Sequence, residues 1–142
     1  QEQLDIMKNY RSHGWVADPQ GINTAGWGLF LTPMDMAKIG QLYLNRGMQG
    51  GKQIVSSQWV EESTAVHSHW EQRSYGLLWW IIDSQAHSFA ALGDGGNVIY
   101  VNPGKRLVIA IASHFMPLAK DRLELIQTAI EPIFACAVDA KT

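Results

Sequence analysis

The chain has 142 residues, 46% of them hydrophobic and 17% charged, with a net charge of −2. That length suffices for one domain with a real core, and the composition is globular rather than disordered. No Lys or Arg cluster appears, which argues against nucleic acid or an anionic membrane as partner, and the longest apolar run, Leu77–Ile82, is too short to span a bilayer.

No signal peptide is visible. The sequence opens at Gln1 without an initiator Met, so a processed product or an excised piece is expected. Periplasmic, secreted and cytoplasmic locations all stay open. Cys136 is the sole cysteine, which rules out an intrachain disulfide, and its apolar neighbours point to an inert core thiol.

Residues 1–28 read as irregular, with a short helix near Gln3–Asn9. "LTPMDMAKIGQLYLNRG" then carries a strong helix signature. Thr32 is a good N-cap, Pro33 suits the first helical position, and Asp35 follows three residues after the cap. Met36, Ile39, Gly40 and Tyr43 share one face, and Asp35, Lys38, Gln41 and Asn45 share the other. Gly47 marks the stop. A tight connection with an extended piece at Gln53–Val55 leads to a shorter helix in "SSQWVEEST", capped by Ser56 or Ser57.

From Tyr75 the pattern turns to strands. "GLLWWIID" reads as a strand buried on both faces, with Trp79 and Trp80 on opposite sides. "HSFAAL", the alternating "NVIYVN" and "RLVIAIAS" follow, and "NPGK" predicts a turn with Pro second and Gly third. The short connections imply an antiparallel meander. A closing helix from about Leu118 puts Leu123, Ile126, Ile130 and Ile133 on one face, and Pro132 is expected to kink or break it. No linker or repeat divides residues 1–142. The fold class is therefore α+β, an antiparallel sheet covered by helices.

The order and the residues together resemble the serine β-lactamase-like family, which includes class C β-lactamases, penicillin-binding-protein-like peptidases and related esterases. The marks are Gly28–Leu29, Thr32 and Asp35 opening a helix, and Gly40, Leu42 and Leu44 inside it. Gly47 after that helix, Trp59 in the next, "YGLLWWI" and "LGDGGNVIYVNPGKRLVIAIAS" complete them. The resemblance runs from about Thr24 to Ser113 and implies a partial β-lactamase/transpeptidase-like fold.

That family's chemistry uses a nucleophilic serine in Ser-x-x-Lys and a neighbouring Tyr-x-Asn or Ser-x-Asn. No Ser-x-x-Lys occurs in this sequence. "YLN" at Tyr43–Asn45 matches Tyr-x-Asn as a string, but inside a capped amphipathic helix it reads as a core tyrosine and a solvent-facing asparagine. The resemblance thus implies one partial domain, the C-terminal part of a hydrolase acting on an ester, amide or β-lactam. The segment with the nucleophile is missing, so this chain alone is expected to be inactive. Its expected partners are the missing N-terminal part or another copy, with a small-molecule substrate in the complete protein. A non-catalytic binding or regulatory module that reuses the fold is the alternative, and an unrelated α+β interaction domain is a third reading.

The candidate site is Gly93, Asp94, Gly95, Gly96 and Asn97. These glycines lie between two strands with no helix after them, so they do not form a phosphate cradle. Asp94–Gly95 is a two-residue hairpin signal. The resemblance implies the third active-site motif here, where a strand-edge N–H, from Asp94 or a neighbour, holds the oxyanion. The family usually has Lys-Thr-Gly or His-x-Gly at this point, whereas no Lys or His falls between Phe89 and Asn97. An acid there disfavours a substrate carboxylate and suits esters, neutral amides or amine-bearing substrates. Trp27 and Trp70, in predicted loops, are candidate cleft-lining residues. His67, His69 and Glu71 have a spacing that a metal could use, but the bland reading, a solvated loop, is preferred. No metal or cofactor is assigned.

Overall fold

The computed structural model describes residues 14–93, 95–113 and 122–134. The readings of a helix near Gln3–Asn9, of Cys136 as a core thiol and of the helix start at Leu118 lie outside the described residues.

Residues 14–31 form an irregular ribbon closed by the bridges Trp15↔Leu29 and Ala17↔Asn23. Helix α1 (Pro33–Leu44) begins as expected. The Thr32 hydroxyl accepts from the Asp35 N–H at 3.2 Å and donates to the Asp35 carboxylate at 2.7 Å, with Pro33 in the first turn. Met36 and Gly40 are buried. A Cβ at Gly40 would lie 2.5 Å from Val108 Cγ1 and 3.1 Å from Ile99 Cγ2, so only glycine lets the helix axis come this close to the sheet. The helix ends in two left-handed residues, Arg46 and Gly47, and the Gly47 N–H reaches back to the Leu42 carbonyl at 2.8 Å.

A small hairpin, β1 (Met48–Gln49) and β2 (Lys52–Gln53), precedes helix α2 (Ser57–Ser63). Ser56 supplies the α2 cap, accepting from the Trp59 N–H at 3.1 Å.

Among the described residues the sheet has six strands in sequence order: β3 (Ser68–Trp70), β4 (Arg73–Tyr75), β5 (Trp80–Asp83), β6 (Ser88–Gly93), β7 (Asn97–Asn102) and β8 (Leu107–Ile111). Every neighbouring pair is antiparallel, as the meander predicts. The sequence reads the β3–β4 hairpin as loop. Its strands are three residues long and polar, and β3 is wholly exposed, so they lack the apolar alternation that marks a half-buried strand. Strand β5 begins only at Trp80. Before it the chain makes a tight turn in which the Gly76 N–H donates to the Trp79 carbonyl at 2.8 Å and Leu78 is left-handed. The strand is half-buried rather than buried on both faces. The β7–β8 turn also sits one residue later than expected. The Arg106 N–H donates to the Pro103 carbonyl, so Pro103 opens the turn and Arg106, not Gly104, takes the left-handed position.

Period-two alternation sends the sheet's side chains into two cores. Met36, Trp79, Phe89, Ile99 and Val101 form one, under α1, with Tyr43 against Trp79 at 4.6 Å between ring centroids. Ala90, Val98 and Tyr100 form the other, with Leu123 and Ile126 of the closing helix. That helix runs from α3 (Arg122–Leu125) through a π turn (Ile126–Ile130) into residues 131–134. Pro132 neither breaks nor ends it. The proline has no N–H for the ladder, and just before it the ladder slips a step, the Glu131 N–H bonding to the Ile126 carbonyl five residues back. The extra residue in the turn rotates the rest of the helix about its axis. Ile133, expected on the core face, is 67% exposed, and Glu131 takes the inward position at 8%.

Candidate functional site

The glycine stretch caps the β6–β7 hairpin. Gly93 pairs with Asn97, and the Gly96 N–H donates to the Gly93 carbonyl at 3.2 Å. The loop therefore holds three residues rather than the expected two. Gly96 as well as Gly95 is left-handed, at φ 88° and 80°, and so stays out of the ladder. Asp94 lies outside the described residues. Gly93 is exposed, and Gly95, Gly96 and Asn97 are half-buried.

Two further elements converge on this turn. Strand β8 delivers Ser113, whose N–H donates to Asn97 Oδ1 at 3.0 Å. The closing helix delivers Arg122, whose guanidinium donates to Ser113 Oγ at 3.4 Å. A Cβ on Gly96 would stand 3.0 Å from Arg122 Cγ and 3.4 Å from its Nε, so the arginine stem lies directly on the turn. The sequence places only an acid in this neighbourhood, whereas the fold adds a cation. Nothing short-range announces Arg122, because its place depends on how the closing helix docks.

A second polar group lies behind the sheet, on the face that packs against that helix. The Tyr100 hydroxyl donates to Glu131 Oε1 at 2.8 Å, and Asn102 Nδ2 donates to the same oxygen at 2.6 Å. Lys105 Nζ stands 3.3 Å from it, and the Lys105 N–H donates to Asn102 Oδ1. Burial pushes the Tyr100 phenol above its usual value of 10.0, which keeps it protonated and donating at neutral pH.

The other candidates sit elsewhere. Trp27 is 65% exposed on the 14–31 ribbon. Trp70, 69% exposed, lies on β3, three strands from β6, and shares a sheet face with Tyr75 and Trp80, which meet edge to face at 4.7 Å. His67 Nε2 contacts the Glu62 carbonyl and His69 Nδ1 contacts Ser74 Oγ. Among the described residues no group of three or more His, Cys, Asp or Glu could hold a metal ion. Tyr43 packs in the α1 core and Asn45 is exposed, as the helical reading of "YLN" requires. Among the described residues no helix is long and apolar enough to cross a membrane.

No family model matches the chain. It is 26% identical over 105 residues, 66% of its length, to the 6-aminohexanoate-dimer hydrolase of Paenarthrobacter ureafaciens. A solved structure named "Putative 6-aminohexanoate-dimer hydrolase from Bacillus anthracis" covers 88% of the chain at 29% identity with a TM-score of 0.74. The chain spans about a quarter of the first relative (27%) and about a third of the second (34%). In sequence and in fold the resemblance to β-lactamase-like serine hydrolases holds, and the architecture is a partial α+β fold of that type.

Proposed function

We propose that this chain is the C-terminal, sheet-bearing part of a β-lactamase-like serine hydrolase whose complete form cleaves a linear amide or ester. The observation that carries this reading is the glycine turn. It ends an interior strand, exposes backbone at Gly93 and is buttressed by Arg122, within a fold that overlays a hydrolase relative. Glycines on both sides of Asp94 let a carbonyl carbon approach the backbone closely, and an N–H of the 93–96 segment then stabilises the oxyanion. The serine oxygen attacks the carbonyl carbon while a base takes its proton, and the amine or alcohol leaves with a proton. Water then hydrolyses the acyl-serine ester and restores the hydroxyl. Serine and base are supplied from outside these 142 residues, since no Ser-x-x-Lys occurs within them. The chain alone is inactive.

The substrate class follows from Asp94. A carboxylate between two glycines attracts an ammonium group and repels an acid. A 6-aminohexanoate dimer, the compound in the relatives' name, is a linear amide with an ammonium at one end and a carboxylate at the other, so its amine end, and not its acid end or a penicillin-like acid, suits this position.

The test is a fluorophosphonate mass adduct. On the complete protein it is expected at a serine outside these residues, together with hydrolysis of an amine-bearing amide. The isolated chain should give none. No adduct and no turnover in the complete protein would favour the binding module, and an adduct on the isolated chain would overturn its inactivity.

A further inference from the structure

The polar group behind the sheet takes no part in the proposed chemistry, yet it is built with care. Glu131 is a carboxylate, only 8% exposed, on a helix whose other inward residues, Leu123, Ile126 and Ile130, are apolar. Its Oε1 accepts from Tyr100 and Asn102 and faces the Lys105 ammonium, while Asn102 Oδ1 accepts from the Lys105 backbone. One oxygen thus ties together β7, the β7–β8 turn and the closing helix. Among the described residues no buried side-chain polar atom lacks a partner.

Stability alone does not call for this arrangement. An apolar side chain of similar volume usually serves a core as well as a buried ion pair does, or better. A directional charged group offers a defined rotation instead. Leu123 and Ile126 present non-directional surface and tolerate small turns of the helix about its axis. Three polar partners converging on one oxygen do not. The π turn serves the same end, since it swings Glu131 inward and Ile133 outward.

The helix carries a second anchor at its start. Arg122 lies on Gly96 and bonds Ser113, beside Asn97 at the head of β7. Glu131 lies against Tyr100 and Asn102 at the tail of the same strand. Nine helical residues cover about 14 Å, and Asn97 to Asn102 spans about 17 Å of strand. The two anchors therefore clamp the helix along β7, and the rotation fixed at one end sets the arginine stem at the other.

We infer that Glu131 is a positioning residue whose clasp with Tyr100, Asn102 and Lys105 fixes the rotation of the closing helix and so seats Arg122 on the glycine turn. Only the catalytic meaning of that turn rests on the hydrolase reading; the clasp itself does not. The experiment is amide hydrogen exchange on the full 142-residue chain, read at the Gly96 and Ser113 amides, both of which are hydrogen-bonded. Glu131→Ala should speed exchange at both amides about tenfold beyond the change in global stability measured at β6–β7. Glu131→Gln keeps the accepting oxygen and should stay within about threefold of the parent. Val60→Ala, which removes packing under α2, should move these amides only as much as global stability does. Should Glu131→Ala not fold, Tyr100→Phe removes one donor with little loss of volume and should give an intermediate acceleration. The inference is overturned if Glu131→Ala or Tyr100→Phe moves the two amides no more than Val60→Ala, or if Glu131→Gln behaves like alanine. No substrate enters this measurement, so its failure is distinct from a failed fluorophosphonate adduct.

Discussion

In the sequence Asp94 is flanked by glycines on both sides, so it carries the one side chain between Leu92 and Asn97. Two unit charges about 4 Å apart interact by roughly 4 kcal/mol at an effective dielectric near 20, and water at an open cleft reduces that considerably. About a third of it, roughly 1.4 kcal/mol, is a tenfold preference between substrates. Asp94→Lys in the complete protein should lower kcat/KM for an amine-bearing amide about tenfold and raise it for a carboxylate-bearing analogue, with the preference shrinking as salt is added. Equal kinetics for both substrates before and after the exchange would remove Asp94 from substrate choice. At this scale the sequence is legible where a residue's role is local. Thr32 caps, Asp35 answers it three residues later, and Tyr43 turns inward with its helix. It is silent on Arg122 and Glu131. An acid and a base in a closing helix look like ordinary solvent-facing charges, and only the docking of that helix on β7 gives them partners.

Elements tell the same story with different causes. Both described helices that open on a Thr or Ser cap were readable, because the cap, Pro33 and the apolar spacing all agree. Thr32→Ala should therefore cost about 1 kcal/mol, seen as a lower denaturation midpoint at unchanged slope. Thr32→Ser should recover most of the loss, and an unaffected midpoint would mean that α1 is held by its packing alone. That packing is unusually close at Gly40, where the helix accepts a poor helix former in exchange for contact with Val108 and Ile99. The strand count failed where burial is absent. Ser68–Trp70 and Arg73–Tyr75 are held by backbone pairing at the exposed side of the sheet, so no hydrophobic period betrays them. The closing helix failed for another reason. A strict 3.6-residue period cannot foresee a π turn, and one inserted residue exchanged the places of Ile133 and Glu131.

For the whole molecule, the two edges of the sheet are unlike. The β3 edge is three residues long, polar and exposed, which makes it a poor template for pairing. The β8 edge, Leu107–Ile111, reads LVIAI, without charge, proline or glycine, and among the described residues its outer side has no strand partner. Lys105 and Arg106 stand before it as the nearest charges. Such an edge invites another strand. In the proposed complete protein that strand comes from the two thirds or more of the relatives' length that this chain does not span. The isolated chain should therefore associate with itself and bind an apolar dye. Sedimentation velocity over a tenfold concentration range should show species heavier than 15.8 kDa, and co-expression with the remaining part of the protein should remove both the association and the dye signal. A chain that sediments as a monomer at every concentration and leaves the dye dark would show that β8 needs no partner. The proposal that this sheet is completed by a second segment would then fall, whatever the chemistry at the glycine turn.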